Sequence, residues 1–204
     1  MTGSDKRLEA VYAAKTSAEI AREYDAWADG YEGDMARAGY RHPSIAVALC
    51  ARYLPRGTGP VLDAGAGTGL VGEWLHLLGY PRIEALDISQ GMLAVARRKG
   101  VYDAFHTHPL GGALPFEDER FAGIVCVGVL TTGHVGAEAL PELVRSARRG
   151  GVLVLTVKET LWLGNIADRL EEFGLDLLEA TAPYISMPGE QSATPSRAVA
   201  LRRR

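Results

Sequence analysis

The chain has 204 residues, of which 47% are apolar and 23% are charged. These are ordinary values for a globular protein, and the length fits one domain and excludes a second full one. The formal net charge of −3 gives no general attraction for the phosphate backbones of nucleic acids, so a nucleic-acid partner is not expected. Cys50 and Cys126 lie in apolar runs, which favours two buried, reduced thiols over a disulfide.

The sequence also argues against export and membrane association. Residues 1–15 lack the apolar core of a signal peptide, and no stretch approaches the ~18 apolar residues that span a bilayer. We therefore expect a cytoplasmic protein.

The first predicted element is a helix over about residues 17–29, which the capping-box pattern Thr16-Ser17-Ala18-Glu19 begins. A second helix is predicted over about 43–54, with Pro43 in its first turn. Aromatic residues at helical spacing in the first helix indicate either core packing or a lid over a ligand. They are Tyr24, Trp27 and Tyr31. Gly30 and Gly33 are expected to interrupt the helix, and together with these aromatic residues they suggest a mobile lid over residues 17–40.

From residue 60 onward, short apolar runs alternate with amphipathic helices, which is typical of a parallel sheet covered on both faces. Strands are predicted near 60–64, 83–87, 102–106, 122–129 and 151–157, and helices near 69–78, 89–99, 137–147 and 160–173. Two further strands, 175–185 and 197–201, predict an antiparallel edge hairpin. The predicted fold class is therefore α/β, a Rossmann-like doubly wound, mostly parallel sheet. It forms one domain over 1–204, with helices in 1–56 and the core in 57–204.

A glycine-rich loop follows the first predicted strand, in the segment Val61-Leu62-Asp63-Ala64-Gly65-Ala66-Gly67-Thr68-Gly69. Its glycines permit a sharp reversal, close approach of a ligand and tight packing of the next helix. The dinucleotide fingerprint would place its third glycine at position 70, where this chain has Leu70. The acid Asp63 suits a ligand that carries an ammonium group and would repel a pyrophosphate. S-adenosylmethionine has that ammonium group and no phosphate.

The second predicted strand ends in Asp87, whose carboxylate could accept hydrogen bonds from both hydroxyls of a ribose. An alternative is that Asp87 caps the following helix. Met92, one turn into that helix, is placed either against an adenine or in the core.

These motifs resemble those of class I S-adenosylmethionine-dependent methyltransferases over about residues 20–160. The segments that carry the resemblance are Val61 to Gly69, Leu86-Asp87-Ile88-Ser89 with Met92, and Leu114-Pro115-Phe116 leading to Phe121. The opening Tyr24 to Met35, Gly39-Tyr40, Gly128-Val129-Leu130 and Gly133-His134-Val135 resemble the Williams–Beuren syndrome region methyltransferase-like subgroup more closely.

The resemblance implies S-adenosylmethionine as cofactor and S-adenosylhomocysteine as product. It implies Asp63 and Gly65 near the methionine moiety, Asp87 on the ribose, and Ile88 and Met92 beside the adenine. Many relatives have an acid after the third strand that receives the adenine amino group, whereas this chain has Pro109 there. A backbone group or a neighbour must then make that contact. The full set of predicted cofactor-binding residues is Tyr24, Tyr31, Asp63, Gly65, Ala66, Gly67, Gly69, Asp87, Ile88, Met92, Leu110 and Val127.

The candidate general base is His134, because the loop after the fourth strand lies where the carboxyl ends of parallel strands collect ligands. A surface or structural histidine is the alternative. His106 and His108 could share a metal, but a third ligand at recognisable spacing is absent, so no metal is predicted. Lys158-Glu159 could reach the cleft or form a solvated charge pair.

The sequence therefore predicts methyl transfer to the oxygen or nitrogen of a small-molecule acceptor. Two alternatives stay open: a methyltransferase that acts on RNA or protein, and a protein that binds the cofactor without transferring the methyl group. The net negative charge favours methyl transfer to a small molecule over methyl transfer to RNA.

Overall fold

One eight-stranded sheet organises the protein, whose structure is a computed structural model that describes residues 3–131, 135–190 and 194–204. The strands are β1 (Val61–Ala64), β2 (Ile83–Asp87), β3 (Ala104–Thr107), β4 (Phe121–Leu130), β5 (Ala147–Lys158), β6 (Leu175–Ala180), β7 (Tyr184–Ile185) and β8 (Pro195–Arg203). Their order is β3-β2-β1-β4-β5-β8-β6, with β7 paired to β8. The first five strands are parallel, and β8 runs antiparallel to its neighbours β5 and β6. The predicted Rossmann-like fold with an antiparallel edge is confirmed.

Seven helices accompany the sheet in the part of the chain that is described. They are α1 (Gly3–Ala13), α2 (Ser17–Ala38), α3 (His42–Tyr53), α4 (Leu70–Leu77), α5 (Gln90–Arg98), α6 (Leu140–Ser146) and the single turn α7 (Glu159–Leu161). Within the same residues, no helix combines the length and the apolar character needed to cross a membrane.

Two apolar clusters cover the two faces of the sheet. On one face, Val61 packs with Leu49 of α3 and Leu75 of α4. On the other face, Leu62 packs with Leu143 of α6. Alternate residues of β1 thus point to opposite cores, as expected for a strand buried on both sides. Cys50 and Cys126 are buried and form no disulfide, as predicted.

The helix α2 begins as the sequence predicts but is longer. The Thr16 side chain accepts from the Glu19 backbone N–H, and the Glu19 carboxylate accepts from the Thr16 backbone N–H, which completes the capping box. The helix then continues through Gly30 and Gly33 to Ala38, so the expectation that these glycines break it is wrong. Burial of Trp27 and Met35 on one face offsets the low helix propensity of glycine.

The helix α1 has no counterpart in the prediction. Its Val11 is 1% exposed and packs against Trp27 and Met35 of α2. This contact is tertiary, and a short helix gains most of its stability from such packing rather than from its own sequence.

The region predicted as one helix over 160–173 is instead a series of short turns. The turn α7 is followed by a π-helical turn over Trp162–Ile166 and a 3₁₀ turn over Ala167–Arg169. Gly164 and Asn165 inside this region are poor helix formers, which explains the irregular winding. The predicted strand over 175–185 is likewise divided into β6 and β7.

Polar contacts fix α2 against α5. The Asp25 carboxylate of α2 accepts from the Ser89 hydroxyl at 2.6 Å and from the Gly91 N–H at 2.7 Å. A Cβ atom on Gly91 would lie 2.9 Å from Asp25 Cα, so the absence of a side chain allows the two helices to approach. One turn further along α2, Asp29 pairs with Arg98, and Glu32 pairs with Lys99. The helix α2 therefore packs along α5 from its N-cap to its C-cap.

We predict that Gly30→Ala raises the free energy of unfolding by about 0.4–1 kcal/mol. Gly30 lies within α2 at an exposed position, and the nearest atom to an added Cβ is Trp27 Cδ1 at 3.9 Å. Alanine reduces the conformational freedom of the unfolded chain without a clash. Urea unfolding of both proteins measures the difference, and a loss of stability would indicate that the helix is not continuous at this residue.

Candidate functional site

The glycine loop after β1 forms the floor of a cavity at the carboxyl edge of the sheet. Gly65 has φ of +79°, and a Cβ atom there would lie 2.2 Å from Val129 Cγ2. Both the backbone angle and the close approach of β4 exclude a side chain at this position. The Gly65 and Ala66 N–H groups donate to the Leu86 carbonyl at 2.7 and 3.0 Å, which ties the loop to β2.

Asp87 links the glycine loop to the start of α5. Its Oδ2 accepts from the Gly67 N–H at 2.8 Å, and its Oδ1 accepts from the Ser89 N–H at 2.9 Å. The helix cap is Ser89, whose hydroxyl accepts from the Met92 N–H, so the alternative of Asp87 as the helix cap is wrong. The Asp87 carboxylate also has a structural role, because it holds two backbone N–H groups. Burial raises the pKa of the Asp87 carboxyl, against these hydrogen bonds.

The first cavity has a volume of about 160 Å³. Nine of the twelve predicted cofactor-binding residues line it: Tyr24, Tyr31, Gly65, Gly67, Asp87, Ile88, Met92, Leu110 and Val127. They come from α2, the glycine loop, the end of β2, α5, the loop after β3, and β4. The structure thus brings together residues that are up to about a hundred positions apart in the sequence.

The other three predicted residues lie outside the wall of this cavity. Ala66 packs in the small cluster with Ala85 and Leu93, and Gly69 is the residue that precedes α4. Asp63 is 1% exposed and accepts from the Tyr102 hydroxyl at 2.6 Å, while its Oδ1 has no hydrogen-bond partner among the described residues. Direct cofactor contacts from these three residues are therefore not supported by their placement.

Burial raises the pKa of Asp63 to about 7, and the nearby Asp87 carboxylate adds to this effect, whereas the hydrogen bond from Tyr102 opposes it. Such a shift arises because the charged form loses its hydration. An acid of this kind can hold a proton near neutral pH. Tyr102 is thus a partner of Asp63 behind the site that the sequence does not predict, since nothing local to it indicates a partner 39 positions away.

The loop after β3 supplies cavity residues that were also missed. His108 and Pro109 line the first cavity beside Leu110. The His108 N–H donates to the Asp87 carbonyl at 3.0 Å, and its Nδ1 lies 2.8 Å from the Pro109 carbonyl. His108 is therefore a neighbour that could replace the acid found here in many relatives. Ser17, Ile20, Leu86, Gly128, Val129 and Val135 complete the wall.

A second, smaller cavity of about 50 Å³ adjoins the first. Tyr24, Tyr31 and Gly128 line both cavities. The second cavity is further lined by Leu8, Met35, Tyr40, His42, Leu130, Thr131, Thr156, Lys158, Ser186, Met187 and Ser196. The site therefore has two adjacent compartments, of which the sequence predicts only the first.

The aromatic stripe of α2 divides between core and cavity. Trp27 is 2% exposed and donates from Nε1 to Asp34 Oδ2 at 2.7 Å, which is core packing. Tyr24 and Tyr31 flank it, with ring centroids 6.3 and 4.9 Å from that of Trp27, and line both cavities. Both alternatives for the stripe are thus partly correct. The mobility of residues 17–40 stays a prediction.

The remaining candidate catalytic residues have different outcomes. His134 lies outside the described residues, so its role stays a prediction. His106 Nε2 lies 2.9 Å from Glu84 Oε2, which is therefore its hydrogen-bond partner. Glu159 forms two hydrogen bonds with Arg197, so the prediction of a solvated Lys158-Glu159 pair is wrong. Lys158 itself lines the second cavity.

Comparisons with known proteins agree with this geometry. Residues 62–155 match the family described as "Methyltransferase domain". The chain is 33% identical over 182 residues to human methyltransferase-like protein 27, covering 83% of this chain and 73% of that protein. It belongs to the class I S-adenosylmethionine-dependent methyltransferases. The human relative decides this, because a likeness at that identity extends over most of both chains.

Two more distant relatives are consistent with the assignment. This chain is 27% identical over 175 residues to the ribosomal protein L11 methyltransferase of Staphylococcus aureus. The match covers 82% of this chain but only 52% of that protein. The structure of a TehB-like SAM-dependent methyltransferase from Corynebacterium glutamicum superposes with a TM-score of 0.67 at 21% identity, covering 90% of this chain and 99% of the other. This second likeness concerns the fold alone.

The first cavity fits S-adenosylmethionine, the cofactor of this family. Gly65 and Gly67 keep the floor free of side chains, and the half-buried Asp87 carboxylate in the wall has oxygen lone pairs for a ribose diol. Met92 and Ile88 supply an apolar surface for an adenine ring. The residues that would hold the cofactor are therefore those that line this cavity.

We predict that Asp63→Asn removes a pH dependence from the stability of the methyltransferase. The pKa of Asp63 is about 7 in the folded protein and about 3.9 when unfolded. Between these values the folded state holds a proton that the unfolded state has lost, so the free energy of unfolding falls as pH rises. The fall amounts to a few kcal/mol at ~1.4 kcal/mol per pKa unit. Urea unfolding between pH 4 and 8 measures it, and identical slopes in both proteins would contradict the assignment.

We further predict opposite effects for two neighbours on α2. Trp27→Ala removes a buried aromatic side chain and should lower the free energy of unfolding by about 3–5 kcal/mol. Tyr24→Ala removes part of a cavity wall and should weaken binding of S-adenosylhomocysteine with a much smaller loss of stability. Calorimetric titration and thermal unfolding separate the two effects. If Tyr24→Ala instead lost much stability and kept its affinity for S-adenosylhomocysteine, Tyr24 would be a core residue and not part of the binding site.

Proposed function

We propose that this methyltransferase is a cytoplasmic enzyme that transfers the methyl group of S-adenosylmethionine to an oxygen or nitrogen atom of a small-molecule acceptor. The observation that carries the proposal is the pair of adjacent cavities that share Tyr24, Tyr31 and Gly128. The first fits the cofactor, and the second is a separate compartment next to it. The two buried, unbonded thiols fit a reducing compartment.

The chemistry of the transfer explains why two adjacent compartments suffice. When bound, the cofactor would supply a methyl group on a cationic sulfur. The acceptor atom would take this methyl group while the sulfur keeps the electrons of the broken bond, and the proton of the acceptor would pass to water. The protein needs to orient the two molecules and exclude water, which can supply about 7–11 kcal/mol of the barrier. The walls formed by Tyr24 and Tyr31 of α2 are suited to that task.

The size and charge of the site favour a small acceptor over a macromolecule. The second cavity is about 50 Å³, and apolar and aromatic side chains form much of its wall. The net charge of −3 offers no general attraction for RNA. The named activity of the Staphylococcus aureus relative, methylation of a ribosomal protein, keeps protein as the second candidate acceptor.

We also propose membership of the Williams–Beuren syndrome region methyltransferase-like subgroup. The residues that distinguish the resemblance include Tyr24, Tyr31, Tyr40 and Gly128, and all four line the second cavity. A subgroup defined by such residues would share its acceptor compartment rather than only its cofactor site.

We predict that the protein binds S-adenosylmethionine and S-adenosylhomocysteine but not NAD, and that Asp87→Ala weakens this binding by tenfold or more. Loss of hydrogen bonds to a charged group typically costs about 1.5–3 kcal/mol each. The mutation should also lower thermal stability, because Gly67 and Ser89 lose their acceptor. Calorimetric titration with the three ligands provides the measurement.

Asp103→Ala is the matched control for this variant. Asp103 accepts from the Ile83 N–H at 3.0 Å, at the opposite end of β2, and is outside the first cavity. This control should lose stability but keep the affinity for S-adenosylhomocysteine. Binding of NAD without binding of S-adenosylmethionine would overturn the cofactor assignment.

The acceptor class is tested with methyl-labelled S-adenosylmethionine and a cell extract separated into small molecules, RNA and protein. We expect a labelled product distinct from S-adenosylmethionine in the small-molecule fraction only, and much less of it with Asp87→Ala enzyme at the same cofactor concentration. Label in the RNA or protein fraction would instead support the second candidate function.

A further inference from the structure

The second cavity contains one lysine at the end of the central sheet. Lys158 is the last residue of β5, and it lies opposite Ser196 of β8, which in turn lies opposite Tyr184 of β7. Directly opposed residues of antiparallel strands point to the same face. The amine, the hydroxyl and the phenol are therefore adjacent on the face of the sheet toward α3, where Tyr184 contacts His42.

The ammonium group of Lys158 has no counter-ion among the side chains that the structure describes. It is half-buried and donates to the Thr194 carbonyl at 3.2 Å. The adjacent carboxylate, Glu159, is 2.6 and 2.7 Å from the Arg197 guanidinium, and both of these side chains are 17% exposed. The neighbouring acid is thus already neutralised by another cation.

The described residues that line the second cavity include no Asp or Glu. Their titratable groups are three tyrosines, His42 and Lys158. Burial, together with the nearby charge of Lys158, lowers the pKa of His42 to about 3, so His42 is neutral at physiological pH. Lys158 is therefore the source of positive charge in this wall, although burial lowers its pKa as well.

A second polar group in the same wall makes no hydrogen bond to the described residues. The Ser196 side chain is fully buried, and its Oγ makes no hydrogen bond to any described residue. A buried hydroxyl without a partner is unfavourable, and buried polar groups are normally satisfied. The Lys158 ammonium lacks a counter-ion among the described side chains, and the adjacent Ser196 hydroxyl lacks a hydrogen-bond partner among the same residues. A ligand with an anionic oxygen would satisfy both groups.

We propose that the second cavity binds the carboxylate of a small acceptor, with the Lys158 ammonium and the Ser196 hydroxyl as its partners. The proposal rests on the proposed function and names the class of its acceptor. Leu8, Met35, Leu130 and Met187 in the same wall suit the apolar body of such a molecule. A phosphate group is disfavoured, because phosphate sites generally use several cations or an arginine fork, and Arg197 is already paired with Glu159.

The cavity boundaries separate this role from cofactor binding. Lys158 and Ser196 line the second cavity and not the first. Changes at these residues should therefore affect the acceptor and leave the affinity for S-adenosylhomocysteine unaltered.

Calorimetric titration of the protein saturated with S-adenosylhomocysteine tests the proposal. The probes are benzoate and phenylacetate, their uncharged counterparts benzamide and phenylacetamide, and inorganic phosphate. We expect at least one carboxylate to bind at least about tenfold more tightly than its amide, and Lys158→Met to remove that preference. Lys15→Met, the same change at an exposed lysine, is the control and should behave as the parent. Ser196→Ala should weaken carboxylate binding several-fold.

Each outcome decides between distinct conclusions. If neither carboxylate binds, if the amides bind equally well, or if phosphate binds more tightly, the proposal is overturned. If Lys158→Met instead loses affinity for S-adenosylhomocysteine while remaining folded, the lysine serves the cofactor, and the proposal is again overturned. If the parent protein fails to bind S-adenosylhomocysteine at all, it is the proposed function that fails. Should Lys158→Met not fold, Ser196→Ala and Lys158→Arg, which retains the charge, give the same comparison.

Discussion

The site depends on one carboxylate, that of Asp87, which connects segments that are distant in the sequence. It accepts from Gly67 of the glycine loop and from Ser89 at the start of α5. The Ser89 hydroxyl in turn donates to Asp25 of α2. The loop that forms the cavity floor, the helix that follows β2 and the helix that closes the cavity are therefore joined through consecutive hydrogen bonds. Because these bonds involve charged acceptors, they are among the stronger ones available to a protein.

Charge is distributed unevenly between the two cavities. Asp87 lines the first cavity and Asp63 lies behind it, and burial raises the pKa of both carboxyls. Lys158 lines the second cavity, where no acid is found among the described residues of the wall. A cationic cofactor suits the first cavity, since its positive charge would compensate two partly desolvated carboxylates. The basic side suits an anion. The arrangement would thus orient two ligands of opposite charge toward a shared boundary.

The parts of this architecture that the sequence predicts are those that depend on local patterns. Glycine spacing and the acid at the end of β2 located the loop and Asp87 because strand, turn and helix follow each other within a few residues. The missed features depend on contacts between distant segments. Tyr102 reaches Asp63 across 39 positions, and His42 reaches Tyr184 across 142. The helix α1 exists through burial of Val11 against α2, which no local pattern records.

The two cavities also differ in how far they depend on local sequence patterns. This difference explains why the sequence predicts the cofactor but not the acceptor. Most residues of the first cavity lie in the segment 62–155 that matches the methyltransferase family. Of the described residues that line the second cavity, only Gly128, Leu130 and Thr131 lie in that segment. The others come from α1, α2 and α3 before it and from the end of β5 and the β7–β8 region after it. The proposed acceptor compartment therefore belongs mostly to the flanking segments, which can change while the shared core retains the cofactor chemistry.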